Sequence, residues 1–201
     1  MSTNLLIIGA GDLGAIAKEI AEKMGRFDKI DFLDDKSELA IGKTSDIEKY
    51  SGEYQFGIAA IGDHELRYRY TLKLEDNCFQ IPILVHPRAF VGKYASIQKG
   101  CIIEPMATVH SGATLGVGVV VSAGAIVNHS TFIGDYSHLN VGSIVEARSI
   151  MRAGTKLNAG NIFNKIDDLS DKTGNGTPTY KVDEAWVQQY VKDFGTEPSF
   201  F

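Results

Sequence analysis

The stretch from Val121 to Ile150 reads VSAGAI, VNHSTF, IGDYSH, LNVGSI and VEARSI, five blocks of six residues that each open with an aliphatic side chain. The same spacing extends in both directions. Taking every sixth residue gives fourteen positions that are all apolar: Val85, Val91, Ile97, Ile103, Val109, Leu115, Val121, Val127, Ile133, Leu139, Val145, Met151, Leu157 and Phe163. Because such residues make up about a third of a typical chain, chance would produce this run with odds on the order of one in ten million.

A second repeat runs four residues behind the first. Its members are compact except for the last: Ala89, Ala95, Cys101, Ala107, Ala113, Val119, Ala125, Thr131, Ser137, Ser143, Ser149, Thr155 and Asn161. A period of six does not fit an α-helix, but it fits a triangular coil with an aliphatic residue inside each face and a compact residue at each corner. The repeat predicts a left-handed parallel β-helix of about four and a half eighteen-residue coils, from about Val85 to about Phe163.

Glycines are expected to form the corners of this β-helix, where the backbone needs a positive φ. The candidates are Gly92, Gly100, Gly116, Gly118, Gly124, Gly134 and Gly142. After Arg148 the apolar spacing persists but the Ile-Gly pairs disappear. We therefore expect the coils of the β-helix to lose their regular structure from about that point.

The chain before the repeat alternates short apolar runs with amphipathic ones. We predict strands at Leu5–Ile8, Ile30–Leu33 and Phe56–Ile61, and helices at Asp12–Met24, Asp46–Tyr50 and His64–Asp76. In the last helix, Leu66, Tyr70 and Leu74 are expected to face inward. Strands that alternate with helices indicate a parallel βαβαβ sheet. The predicted organisation is a Rossmann-like domain at 1–82, a β-helix domain at 83–166, and a loop with a C-terminal helix at 167–201, the helix spanning Asp183–Phe194.

The composition argues against nucleic acid as the main partner. The 201 residues are 44% hydrophobic, their net charge is −5, and the sequence contains no block of basic residues. The apolar run at the N-terminus is too short for a membrane span, so we predict a cytoplasmic protein. Cys78 and Cys101 lack metal-type spacing and are interpreted as buried, reduced thiols, and no metal site is expected.

A glycine-rich turn follows the first predicted strand, with Gly9, Gly11 and Gly14 in a GxGxxG pattern. Such glycines permit a tight turn and close approach of a pyrophosphate to a helix N-terminus. Asp34 and Asp35 close the second strand, where a carboxylate can accept hydrogen bonds from a ribose or a base. Ile61 closes the third strand at the same edge. The alternative is that the glycines merely form a turn and bind nothing.

The positions of the histidines in the β-helix can be predicted from the repeat. One coil has eighteen residues, so each residue stacks on the residue eighteen positions later; we call this the stacking arithmetic. His110, Asn128 and Glu146 form one column, and His129 stands beside it. His138 follows His129 by nine residues, half a coil away. The two can meet only across a subunit interface, as in a trimer.

His129, which lies among small residues, is the first candidate for catalysis, and His138 is the second. His110 is interpreted as a corner residue or an indirect partner.

Several motifs together resemble the sialic-acid O-acetyltransferase and PglD-like sugar acyltransferase family. They are Ile-Ile-Gly-Ala-Gly-x-x-Gly, Phe32-Leu-Asp-Asp, Ala60-Ile-Gly-Asp-His-Glu-Leu-Arg67, Val85-His-Pro-x-Ala and Val127-Asn-His-Ser-x-x-Ile-Gly-Asp-Tyr-Ser-His-Leu139. The resemblance spans residues 4–165. It implies a nucleotide-sugar-binding domain joined to a left-handed β-helix, a homotrimer, and acetyl-CoA as the co-substrate.

The resemblance also implies roles for residues. His129 would be the general base, and His138 of a neighbouring subunit would contact the acetyl group. A backbone N–H near Gly142 would stabilise the oxyanion. In the family a glutamate adjoins the base, whereas the neighbours of His129 are Asn128 and Ser130, so Asn128 or Glu146 would orient His129. The nucleotide would bind at Gly9, Gly11, Asp34, Asp35 and Ile61.

Two other functions remain open at this point. One is a catalytically altered trimeric β-helix scaffold with a nucleotide-binding sensor domain, which the replacement of the family's closing coils by a loop and helix after Asp167 favours. The other is an NAD-type oxidoreductase, for which some eighty residues with one mononucleotide-binding half are too few. The sugar acceptor, and the choice between N- and O-acylation, are left undecided.

Overall fold

The computed structural model describes residues 3–166. The predicted helix at Asp183–Phe194 lies outside this range. The first part contains β1 (Leu5–Ile8), α1 (Asp12–Met24), β2 (Ile30–Leu33), β3 (Ala40–Gly42), α2 (Ile47–Tyr50), β4 (Phe56–Ala59) and α3 (His64–Asp76). Fourteen two-residue strands follow: β5 (Leu84–Val85), β6 (Phe90–Val91), β7 (Ser96–Ile97), β8 (Ile102–Ile103), β9 (Thr108–Val109), β10 (Thr114–Leu115), β11 (Val120–Val121), β12 (Ile126–Val127), β13 (Phe132–Ile133), β14 (His138–Leu139), β15 (Ile144–Val145), β16 (Ile150–Met151), β17 (Lys156–Leu157) and β18 (Ile162–Phe163).

The first part is a parallel sheet with the strand order β3-β2-β1-β4. The predicted strands and long helices are confirmed, although β4 ends at Ala59 rather than Ile61. The short helix α2 begins one residue later than predicted, after a 3₁₀ turn at Thr44–Asp46. The extra strand β3 was not predicted, because its three residues carry no clear alternation.

The inward face of α3 differs from the prediction. Leu74 is buried as expected, but its companions are Arg67 and Thr71, while Leu66 is 42% exposed. The reason is that α3 faces the β-helix as well as the sheet, and Arg67 meets backbone carbonyls there instead of side chains.

The hexad repeat forms a three-sided β-helix, with β7, β10, β13 and β16 in one sheet. The second sheet contains β5, β8, β11, β14 and β17, and the third contains β6, β9, β12, β15 and β18. Paired residues are eighteen apart, as in Val127 with Val145. The predicted fold class, a Rossmann-like βαβαβ part plus a left-handed parallel β-helix, is confirmed.

The prediction that the coils lose their regular structure after Arg148 is wrong. Strands β16, β17 and β18 pair in register with the coil before them. The physical reason is that Met151, Leu157 and Phe163 still point inward and stay buried, which continues the apolar column.

Positive φ angles recur at the third residue after the inward aliphatic residue. From residue 100 to residue 160 this holds at Gly100, Met106, Gly112, Gly118, Gly124, Ser130, Tyr136, Gly142, Arg148, Gly154 and Gly160. The prediction was right for four glycines and wrong for Gly92, Gly116 and Gly134. Those three are needed for space: a Cβ on Gly134 would lie 2.3 Å from the backbone nitrogen of Ala153 in the next coil.

The α/β part is seated on one outer face of the β-helix. The first residues of β5, β8 and β11 point outward, yet Leu84, Ile102 and Val120 are fully buried. They belong to the same apolar cluster as Ala17 and Ile20 of α1. At roughly 25 cal/mol per Å² of apolar surface, burying three such side chains stabilises the contact by several kcal/mol. The two parts are therefore held together by a continuous core.

The cysteine prediction is half right. Cys101 is buried inside the β-helix, and burial raises the pKa of its thiol to about 12. Cys78 is exposed, because it takes a positive φ in the turn after α3. Over residues 3–166 no cluster suited to a metal ion is found, and no helix there is long and apolar enough to cross a membrane.

We expect Gly134→Ala to destabilise the protein by about 2 kcal/mol, because overpacking of this kind typically costs 1–3 kcal/mol. The added methyl would collide with the backbone of the next coil. The measurement is urea-induced unfolding. Gly52→Ala is the control, since a Cβ there meets no atom within 4 Å. Equal stability of the two variants would contradict the close-approach explanation.

Candidate functional site

A cavity of about 310 Å³ opens at the carboxyl edge of the parallel sheet. Its position follows from the strand order, because β2 and β4 flank β1 on opposite sides and their loops separate there. The residues predicted to bind the nucleotide all line it: Gly9, Gly11, Asp34, Asp35 and Ile61. The structure therefore brings the predicted set together in one crevice.

The three glycines of the turn are required for different reasons. Gly9 has a φ of 100°, and a Cβ there would lie 2.9 Å from Cγ1 of Ile61. A Cβ on Gly14 would lie 2.1 Å from the Gly9 carbonyl oxygen. A Cβ on Gly11 would meet nothing within 4 Å, so this residue faces open space. Close packing explains Gly9 and Gly14, whereas Gly11 is the N-cap of α1 and leaves open space in the cavity.

The carboxylates at the end of β2 form the cavity wall through internal hydrogen bonds. The Asp34 carboxylate accepts the backbone N–H of Ala10 at 2.9 Å and those of Lys36 and Ser37 at 2.8 and 3.0 Å. These donors lower the pKa of Asp34, with Ala10 contributing most. Asp35 accepts hydrogen bonds from the backbone and the hydroxyl of Thr44.

Several polar lining residues are absent from the predicted nucleotide-binding set, namely Asp12, Lys36, Thr44 and Tyr70. The Tyr70 hydroxyl donates to the Thr44 hydroxyl at 2.9 Å. Lys36 directly follows the acidic pair and is a cation at the cavity, so its position in the sequence was a usable signal. Tyr70 was assigned to the helix core because its spacing matched an inward face.

Arg67 joins the cavity to the β-helix. Its Nη1 donates to the carbonyl oxygen of Ile61 at 2.7 Å, on the cavity wall. Its Nε donates to the Gly118 carbonyl at 3.0 Å and its Nη2 to the Tyr136 carbonyl at 2.6 Å, both in β-helix corners. The side chain is fully buried, and a buried guanidinium is tolerable only when its donors are satisfied in this way. Arg67 thus fixes the position of the cavity relative to His138, two residues beyond Tyr136.

His129 lies exposed at the corner after β12. Its ring Nδ1 is 3.5 Å from the Ser130 hydroxyl. Asn128 Oδ1 accepts the backbone N–H of His129 at 2.8 Å rather than a ring N–H. Glu146 is exposed on the next coil, and no hydrogen bond joins it to the ring within the described residues. Orientation of the ring by Asn128 or Glu146 stays a prediction.

His138 lies in a different environment on β14. Its Nε2 is 3.1 Å from the Ser122 hydroxyl, and its Nδ1 is buried without a hydrogen-bond partner among residues 3–166. Burial, followed by the charges of Arg67 and Lys156, lowers the pKa of His138 to about 4. The ring is therefore neutral at pH 7.

Within one chain the two histidines lie on different parts of the coil, because His129 is at the corner between β12 of the third sheet and β13 of the first, whereas His138 is on β14 of the second sheet. This agrees with the stacking arithmetic. Near His138, the N–H of Gly142 already donates to the Ala123 carbonyl at 3.0 Å. The N–H of the preceding exposed residue, Val141, makes no hydrogen bond within the described part of the chain. The predicted oxyanion donor near Gly142 stays a prediction.

Residues 4–74 match the PglD N-terminal domain family. The α/β part is therefore similar to a PglD N-terminal domain. Joined to the β-helix, this PglD-type domain gives the chain a likeness to solved acetyltransferases. The acetyltransferase domain of PglB from Neisseria gonorrhoeae FA1090 aligns with 84% of this chain and 95% of its own, at 26% identity and a TM-score of 0.71.

Two further structures share the fold. One is a mutant of perosamine N-acetyltransferase from Caulobacter crescentus in complex with CoA and GDP-perosamine, which has 19% identity, 81% and 89% coverage and a TM-score of 0.68. The other is WeeI from Acinetobacter baumannii AYE, with 15% identity, 81% and 94% coverage and a TM-score of 0.63. The resemblance to PglD-like sugar acyltransferases is confirmed.

The depressed pKa of His138 predicts a pH effect on stability. Above the ordinary pKa of 6.5 the ring is neutral in both states and costs nothing. Below it, the unfolded chain binds a proton that the folded protein refuses until about pH 4, so stability falls as the pH drops between these values. We expect the thermal midpoint of the wild type to fall more steeply from pH 7 to pH 5 than that of His138→Gln, measured at equal protein concentration. Parallel curves would contradict the buried, neutral ring.

Proposed function

We propose that the protein is an acetyltransferase that moves the acetyl group of acetyl-CoA to an amino or hydroxyl group of a nucleotide-linked sugar. Its parts would be the predicted ones: 1–82 for the nucleotide sugar, 83–166 for acetyl transfer, and 167–201 as a C-terminal extension. The observation that carries the proposal is that a crevice lined by Gly11 is tied through Arg67 to the coil of His138. The likeness to enzymes solved with acetyl-CoA or with CoA and GDP-perosamine supports it.

His129 is the proposed general base. An unprotonated ring nitrogen would take the proton from the acceptor's amine or hydroxyl as that atom attacks the thioester carbonyl. The tetrahedral intermediate would collapse by breaking the C–S bond, and the imidazolium would return the proton to the leaving CoA sulfur. The exposed position of His129 suits this role, since a base must be reached by the acceptor.

The remaining roles are assigned to groups near His138 and to the residues that line the crevice. The Val141 N–H, beside Gly142, would stabilise the negative oxygen of the tetrahedral intermediate, because this donor has no acceptor among residues 3–166. The partner subunit's His138 would lie along the acetyl group. Gly9, Gly11, Asp34, Asp35 and Ile61 would contact the nucleotide, with Lys36 as a cation beside its phosphates.

A homotrimer would complete the site. The outward column of the third sheet, next to His129, is largely apolar: Phe90, Thr108, Ile126, Ile144 and Ile162. Phe90 and Ile162 are more than half exposed. A flat apolar face of this kind favours burial against another copy, which would bring a partner's His138 towards His129.

The test is acetyl-CoA consumption with a panel of UDP- and GDP-linked amino sugars. We expect turnover with at least one of them, competition by the matching free nucleoside diphosphate, and loss of at least 100-fold in kcat for His129→Ala, the scale of general-base catalysis. The variant should keep the wild-type melting temperature. Equal slow rates for wild type and variant, with nucleotide binding but no CoA binding in calorimetry, would instead select the trimeric scaffold with a sensor domain.

The trimer is tested by light scattering coupled to size exclusion. Ile144→Asp places a charge in the middle of the proposed interface, and we expect it to convert trimers to monomers. Leu39→Asp is the control, since Leu39 is 75% exposed in the α/β part, away from the β-helix face. A monomeric wild type, or a trimeric Ile144→Asp variant, would contradict the proposed interface.

A further inference from the structure

Glu104 is a buried carboxyl group that the proposed reaction leaves without a role. It follows the inward residue of β8, and only 6% of its surface is exposed. No salt bridge to it is formed within residues 3–166. Burying a carboxylate without a counter-ion is costly, so its position calls for an explanation beyond packing.

The contacts of Glu104 lead to Ser122, which lies eighteen residues further on and therefore one coil below. Oε2 of Glu104 accepts the backbone N–H of Ala123 at 2.9 Å. Burial raises the pKa of Glu104, while the N–H of Ala123 and the neighbouring Ser122 hydroxyl oppose that rise by stabilising the ionised form. The carboxyl group thus faces the serine hydroxyl.

The chain of polar groups continues from Ser122 to His138. The Ser122 Oγ lies 3.1 Å from Nε2 of His138. The other ring nitrogen, Nδ1, is buried and has no partner in the described part of the chain. Glu104, Ser122 and His138 belong to three successive coils. The eighteen-residue register places Ser122 next to Glu104, while His138 pairs with Val120 and so lies diagonally across from Ser122.

Proton counting fixes the direction of these contacts. When Glu104 is ionised, the form that the Ala123 N–H and the Ser122 hydroxyl stabilise, its carboxylate can only accept, so the single hydroxyl proton of Ser122 is directed to Glu104. The Ser122 oxygen is then an acceptor for His138, which must carry its proton on Nε2. Nδ1 keeps a bare lone pair, which agrees with its lack of an acceptor in the protein.

We propose that Glu104 is a positioning residue that acts through Ser122 to hold the neutral His138 ring as its Nε2–H tautomer. Arg67 and Lys156 are the charged groups that act on the ring from α3 and β17, and both disfavour the imidazolium. The ring is thereby locked in one orientation and one protonation state. A consequence that rests on the proposed function is that His138 orients the acetyl group without exchanging a proton during turnover.

The tautomer can be measured directly. In full-length protein with 15N-labelled histidine, long-range 1H–15N spectra at pH 7 distinguish a protonated ring nitrogen from a bare one. Loss of one signal set in His138→Gln assigns the ring. We expect the wild type to show Nε2 protonated and Nδ1 bare.

Glu104→Gln reverses the expected direction of the hydrogen bonds. The glutamine carbonyl would accept the Ala123 N–H, and its NH₂ would donate to Ser122. The serine proton would then be directed to Nε2, and His138 should switch to the Nδ1–H tautomer. In Ser122→Ala the connection is cut, so adding Glu104→Gln to that variant should change the His138 signals no further.

Asp135→Asn is the matched control. Asp135 also accepts a corner backbone N–H from a neighbouring coil, that of Val117 at 2.8 Å. If Glu104 served only to hold its corner, the two substitutions should affect the His138 spectrum alike. A wild-type Nδ1–H tautomer, or a folded Glu104→Gln protein with an unchanged tautomer, would overturn the inference. Since the spectra need no substrate, this outcome is independent of whether acetyl transfer is found.

Discussion

The eighteen-residue register is the constraint on which the rest of the structure depends. Each strand residue of the β-helix is paired with the residue eighteen positions away in the neighbouring coil, as Val120 is with His138. This register puts the aliphatic residues inside, the left-handed backbone at the corners and the polar groups in columns. A side chain is therefore defined as much by its vertical neighbours as by its sequence neighbours.

Residues of one outward-facing column have different roles in different coils. Leu84, Ile102 and Val120 are covered by the α/β part, and the same column continues as His138 and then Lys156. The apolar members attach the α/β part with its crevice, and the next member of the column is His138, which lies beside that contact. Arg67 reinforces the junction with hydrogen bonds to both sides. The crevice and the histidine are thus positioned by one surface of the β-helix.

The repeat was readable from the sequence because its period has one geometric solution, and the crevice because strand, glycine turn and acidic pair occur in the expected order. Contacts between the two parts were not readable. Arg67 resembles any surface arginine on a helix until the carbonyls of two distant corners are known to surround it. Gly134 was taken for a turn because the sequence does not distinguish a glycine needed for φ from one needed for space. Glu104 carries no local signal, since its meaning depends on Ser122 and His138 in later coils.

The regular spacing of the corners restricts insertions and deletions in the β-helix. Because the left-handed residue recurs every six positions without a slip from 100 to 160, losing one residue inside a strand would move every later aliphatic side chain off the inner face. Such a change could not be absorbed locally, as it can in an ordinary loop. Length variation in this part of the chain should therefore be confined to outward loops at the corners or to whole coils. Within the strands, related sequences should therefore differ by substitutions and keep the same length.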